Sequence, residues 1–157
     1  MGADEPKRTY LVVIDDSPEA AVALRFAARR AAKTNGRIEV LGIVEPQDFV
    51  QFGGVQAAIE EEQRLRIEGV VSASVGEILD ESGVEAQIIV QQGEPVKTVR
   101  EYVSGRDEVA ALVLGAASSG NPGPLVSNFC GNDAGRLPCP VMIIPGSLTD
   151  ERLEQLS

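Results

Sequence analysis

Two short stretches of the chain carry residue types from which a small-molecule site could be built. In "IDDSPEA", Ile14 to Ala20, the carboxylates Asp15 and Asp16 directly follow an apolar run and lead into a Ser-Pro-Glu segment. A carboxylate just past a strand can accept hydrogen bonds from a sugar hydroxyl or a base amine. It can equally well cap the helix that follows. In "LGAASSGNPGPLVSN", Leu114 to Asn128, another apolar run is left at Gly115, which reads as a turn, and two serines precede Gly120 and Gly123. Glycines let a backbone come close to a phosphate, and free amides at a helix start attract anions. Turns between strands and helices also need glycine for steric reasons alone. The pairing of this loop with Asp15 is what makes a site worth seeking.

What the chain lacks narrows the chemistry. It has no histidine, so the commonest general base and the commonest zinc ligand are both missing. No Lys or Arg lies between Leu114 and Asn128 to stabilise a transferring phosphoryl group. Asp15 and Asp16 alone are too few oxygen ligands to imply a magnesium site. No catalytic residue and no metal ligand is therefore assigned, and the chain is not expected to be an enzyme. The two cysteines, Cys130 and Cys139, have nothing like C-x-x-C spacing and are expected to be reduced and structural.

The net charge of −10 sets 24 acidic against 14 basic residues. Such a field repels nucleic acid and anionic membrane, and no segment interleaves Lys or Arg with aromatics. No apolar run approaches the roughly 20 residues needed to span a bilayer. The opening "MGADEPKRTY" has no apolar segment of signal-peptide type. A cytoplasmic protein is the expectation.

The elements that must position these residues follow from hydropathy. Five short apolar runs, Tyr10 to Ile14, Ile38 to Val44, Ala86 to Val90, Val109 to Leu114 and Val141 to Pro145, read as strands, most of them apolar on both faces. Between them lie helical patterns. In the first, Ser17 or Asp16 caps, Pro18 opens the helix, and Leu24, Ala27, Ala28 and Ala31 recur on one face before "TNG" closes it. Ile67, Val71, Val75 and Ile78 mark a long second helix ending near Gly83, and Val96, Val99 and Val103 a third after Gly93 and Pro95. A fourth is predicted over roughly Leu125 to Leu137, interrupted by Gly131 and Gly135. "PQDFVQFGGVQ", Pro46 to Gln56, reads as a long loop tucked onto the core, with a lid or partner contact as the alternative. The tail "LTDERLEQLS" forms a short docking helix or frays. The 157 residues show no internal repeat and read as one domain, with a core over about residues 8–146 and a polar tail over 147–157. Strand–helix alternation predicts an α/β fold with a doubly wound, open parallel sheet. On such sheets ligands sit at the carboxyl ends of the strands where their order reverses.

The succession of "YLVVIDDSPEAAVALRFAARRAA", "IEVLGIVEP", "GEPVKTVREYV", "AALVLGAASS" and "LPCPVMIIPG" resembles the universal stress protein family over about residues 8–146. The resemblance rests on the order and spacing of these pieces together. It implies five parallel strands in the order 3-2-1-4-5 with helices on both faces. It also implies a homodimer paired through the last strand, Val141 to Ile144. Family members that bind ATP have an aspartate after the first strand, and G-x-x-G, nine residues, then G-S or G-T. Carried over by resemblance, the aspartate matches Asp15, the adenine-contacting position at the end of the second strand matches Ile43, and Leu114 and Gly115 fall where the fourth strand meets the loop.

The phosphate half departs from that pattern. The second glycine of G-x-x-G falls at Ser118, and the G-S pair falls at Ser127 and Asn128, so the helix-entry glycine is lost. Pro122 and Pro124 remove two further amide donors. Three readings follow. One is a non-catalytic stress-response dimer with a degenerate ATP loop, acting through protein partners. The second is a sensor holding ATP or another adenine nucleotide through Asp15, Ile43 and a remodelled loop in which Ser118, Ser127 and Asn128 replace the glycines. The third, a slow ATPase, has the residue types against it. No cofactor is assigned as certain; the first reading is favoured.

Overall fold

The computed structural model describes residues 7–45 and 55–157. The loop reading for Pro46 to Gln56 falls mainly outside these residues; of that stretch, exposed Val55 and Gln56 are described. Five strands pair in parallel: β1 (Thr9–Ile14), β2 (Arg37–Val44), β3 (Ala86–Gln92), β4 (Val109–Ala116) and β5 (Val141–Pro145). Their order in the sheet is β3-β2-β1-β4-β5, which places the reversal between β1 and β4 and a free edge at each of β3 and β5. Tyr10, Val12 and Ile14 alternate with Leu11 and Val13 across the central strand, so it is buried on both faces.

Among the described residues, five helices cover the sheet: α1 (Pro18–Thr34), α2 (Gln56–Ser82), α3 (Pro95–Ser104), α4 (Pro124–Phe129) and α5 (Asp150–Leu156). α1, α2 and α5 pack on the face of Tyr10, Val12, Ile38 and Val40. The buried side of α1 is built from Ala20, Val22, Ala23, Leu24, Ala27, Ala28 and Ala31, and its five alanines let its axis lie close to the strands. Ser17 caps it by accepting from Ala20 N at 3.3 Å, Pro18 opens it, and Asn35 in the left-handed region closes it. Gly83, with φ of 74°, ends the long α2 in the same way, its N–H donating to Leu79 O at 2.8 Å.

The opposite face, of Leu11, Val13, Leu41, Leu112 and Leu114, is covered by the shorter α3 and α4. α3 is capped by Glu94, whose carboxylate accepts from Val96 N at 3.0 Å and Lys97 N at 2.9 Å. These bonds hold the Glu94 carboxyl below its usual range. α4 is shorter than its sequence pattern suggests. It stops at Phe129 instead of reaching Leu137, and turns carry the chain through Gly131 and Gly135. Two glycines so closely spaced weaken any continuation of the helix by about 1 kcal/mol each against Ala. The tail takes its docking alternative: Leu153 of α5 is fully buried, and Asp150 and Glu154 pair with Arg25 and Arg29 of α1. Among the described residues no helix is long and apolar enough to cross a membrane.

Candidate functional site

A crevice opens at the carboxyl ends of β1, β2 and β4, where the strand order reverses. Its volume is about 210 Å³, and Val13, Asp15, Ile43, Leu114 and Gly115 line it from the strands. Glu45 closes one side from beyond β2, and the segment Pro122 to Val126 closes another. The first turn of α1 forms the floor through Ser17, Glu19 and Ala20. Gly115 is what allows this. It lies inside β4, and a Cβ there would overlap the backbone carbonyl of Glu19. It is a close-approach glycine and not the turn that its place in the sequence suggests; the strand continues to Ala116.

Asp15 is exposed and follows β1 directly. Its Oδ1 accepts from the Ser17 backbone N–H at 2.8 Å and from the Ser17 hydroxyl, while Ser17 itself caps α1. One carboxylate oxygen thus steadies the helix start, and Oδ2 has no donor among the described residues. Of the two roles read from the sequence, the structure shows the one at the helix start, where Asp15 supports the Ser17 cap. Asp16 turns aside to Arg66 of α2, at 3.3 Å.

The glycine-rich loop closes on itself. Ala117 N–H donates to Pro122 O at 3.2 Å, and Asn121 Oδ1 accepts the Gly123 N–H at 2.9 Å. Gly120 and Gly123 take positive φ, 72° and 119°, to make the turn. With prolines at 122 and 124, the amide of Gly123 is the one donor within Pro122–Pro124, and it is engaged inside the loop. Ser118 is exposed and stands outside the crevice lining. Ser127 is also outside it, its hydroxyl 3.5 Å from Asn121 Oδ1. Asn128 faces away, its Nδ2 donating to Asp133 Oδ2 at 2.7 Å. Of the residues singled out in the sequence, the structure therefore gathers Asp15, Ile43, Leu114 and Gly115 and leaves Ser118, Ser127 and Asn128 apart.

Asp133 carried no sequence signal, yet it organises the segment after α4. Its side chain is 8% exposed and also accepts from Arg100 of α3, at 2.6 Å. The Asn128 and Arg100 hydrogen bonds keep its carboxyl below the usual range. Glu45 was legible in principle, since it follows the last apolar residue of β2 as Asp15 follows that of β1. A second buried carboxylate, Glu39 of β2, accepts from the Tyr102 hydroxyl at 2.9 Å, far from the crevice. Cys130 is exposed, Cys139 is half-buried, and both are free thiols. Among the described residues no cluster of three or more His, Cys, Asp or Glu could hold a metal ion.

Residues 7–145 match the model of the universal stress protein family. No curated protein matches the chain. Among solved structures the chain is similar to the universal stress protein UspA from Lactobacillus plantarum, at 16% identity and a TM-score of 0.66. That match covers 90% of this chain and 99% of the other. A universal stress protein in complex with cAMP matches at 18% identity and a TM-score of 0.62, covering 91% of this chain and 100% of its own. One from Arabidopsis thaliana with AMP bound matches at 20% and 0.56, covering 88% and 91%. At these identities the likeness is one of fold.

Proposed function

The chain belongs to the universal stress protein family, and on that premise we propose that it serves a cytoplasmic stress response by binding and not by catalysis, as a homodimer that contacts protein partners. One observation carries this reading: the Pro122–Pro124 wall of the crevice offers it no free amide. A triphosphate is held by rows of free amides or by cations. Here Pro122 and Pro124 offer no amide, the Gly123 amide serves Asn121, and Asn128 serves Asp133. Without histidine anywhere in the chain, the common route to general-base chemistry is also missing. The free edge of β5, with half-buried Val141, Met142 and Ile143, supports pairing of two chains there. The acidic surface argues against nucleic acid as a partner.

A second reading keeps a ligand: an adenine nucleotide held through Asp15 and Ile43. The crevice favours it, as does the description of similar structures as holding cAMP and AMP. Isothermal titration with ATP, ADP and AMP, with and without magnesium, separates the two. The first reading expects no heat from ATP at millimolar concentration. Tight ATP binding that disappears in Asp15→Ala would overturn it in favour of the sensor.

A further inference from the structure

Beyond residue 145, where the family match ends, the chain lays a short helix on a basic strip of α1. Arg25, Arg29 and Lys33 recur every four residues, with Arg30 beside them. All four contact the tail. Asp150 pairs with Arg25 at 2.9 Å, and Glu154 pairs with Arg29 and, at 3.7 Å, with Lys33. The Ser157 carbonyl accepts from Arg30 at 3.1 Å. Leu153 lies on the same face of α5 as the two acids and is fully buried. What α1 reads is therefore the pattern Asp-x-x-Leu-Glu on a helix. The tail fills this site incompletely. At seven residues it falls well short of the roughly 12–15 at which an isolated helix begins to hold. The side chains of Asp150 and Glu154 are 67% and 57% exposed, and ion pairs so placed hold weakly and are screened by salt. Two hollows of about 290 and 250 Å³ remain between α1, α2 and α5, both bordered by Arg29. Nε of Arg29 and of Arg30 is buried without a hydrogen-bond partner among the described residues, so each is a donor that a further acceptor can satisfy. Glu77 and Glu81 of α2 also border the hollows. The acids of any occupant must then lie along α1, as Asp150 and Glu154 do.

We propose that this strip of α1 is a docking surface for an acidic, leucine-bearing helix of a second protein, and that α5 is its resident occupant, which the partner displaces. The proposal rests on the reading that the chain works through protein partners, and names the surface and the partner's chemistry. A longer helix with the same spacing keeps the four cationic contacts and extends into the hollows. It also brings helical stability that α5 lacks, so it can replace a tail held by one leucine and exposed ion pairs. Selectivity comes from charge. The chain as a whole carries −10 and repels acidic segments, while this strip attracts them.

The test uses the full chain and a fluorescent peptide of two successive copies of the segment Asp150 to Leu156, with binding read by anisotropy. The tail is loosened by Asp150→Lys with Glu154→Lys, and circular dichroism checks the fold. The peptide is expected to bind the loosened chain at least about tenfold more tightly than the unaltered chain, whose own tail competes for the strip. Adding Arg29→Glu to the loosened chain should weaken binding at least about tenfold, as should replacing the peptide's leucines by serine, and added salt should weaken it too. Equal binding to the loosened and unaltered chains overturns the proposal. So does binding indifferent to Arg29→Glu, to salt or to the leucines, or no binding to the loosened chain. A dimer that dissociates in sedimentation when the tail is loosened would make a second copy the occupant and overturn it as well. Failure of the partner reading shows elsewhere, as tight ATP binding lost in Asp15→Ala, at the strand ends and away from this strip.

Discussion

Glu39 and Tyr102 show how one buried acid is made tolerable. Glu39 is 2% exposed, and an uncompensated charge at that depth would be strongly unfavourable. The Tyr102 hydroxyl donates to one carboxylate oxygen, and Arg37 stands 3.7 Å from the other while its Nε donates to Thr9. Arg106 lies over the Tyr102 ring, 4.1 Å from its centre. Tyr102→Phe would leave the carboxylate without its closest donor, at a cost of about 1–3 kcal/mol, read as a lower urea midpoint. Burial, followed by the bond to Glu39, pushes the Tyr102 phenol well above its ordinary value of 10.0. A raised folded-state value stabilises the fold below pH 10 and withdraws that contribution as the pH climbs further. Stability of the native protein should therefore fall in alkali, and the part due to Tyr102 should be absent from Tyr102→Phe.

At the level of the elements, the meeting of β4 with the first turn of α1 decides whether the crevice exists. Gly115→Ala would drive a methyl group into the Glu19 carbonyl, and overpacking of this kind typically destabilises by about 1–3 kcal/mol. Chemical denaturation should show that loss as the floor of the crevice is displaced. The strands were legible because each is a short apolar run, and α1, α2 and α3 because caps and apolar faces agreed at Ser17, Gly83 and Pro95. The role of Gly115 was not, since a glycine at a strand end reads as a turn unless the helix crossing it is known. α4 was overextended for a related reason. Its apolar residues continue to Leu137 in sequence, while Asp133, which bonds to nearby Asn128, also ties the segment after the helix to Arg100, 33 residues away. Asp15 could be placed beforehand because it directly follows a strand, and Ile43 through the family resemblance. Whether Ser118, Ser127 and Asn128 face the crevice depends on how the loop folds and, for Asn128, on its bond to Asp133, neither of which the spacing of glycines decides.

Across the whole molecule the sheet is dressed unevenly. One face carries α1 and the 27-residue α2, with α5 fastened to α1 by ion pairs. The other carries the ten-residue α3 and six-residue α4. β1 sits between neighbours on both sides and is buried along its length, while β3 and β5 each have one free edge. Local stability follows such differences, because regions with fewer buried contacts open at a smaller free-energy cost than the core. The molecule should come apart from its thinly covered side. In native-state hydrogen–deuterium exchange, the amides of α4 and the turns after it should exchange first, those of α3 next, and those of β1 and α1 only through global unfolding. Exchange of α1 as fast as α4 would contradict that order. A protein built this way can loosen the wall formed by Pro122 to Val126 while its central strands stay closed, so entry to the crevice need not wait for the whole chain to unfold.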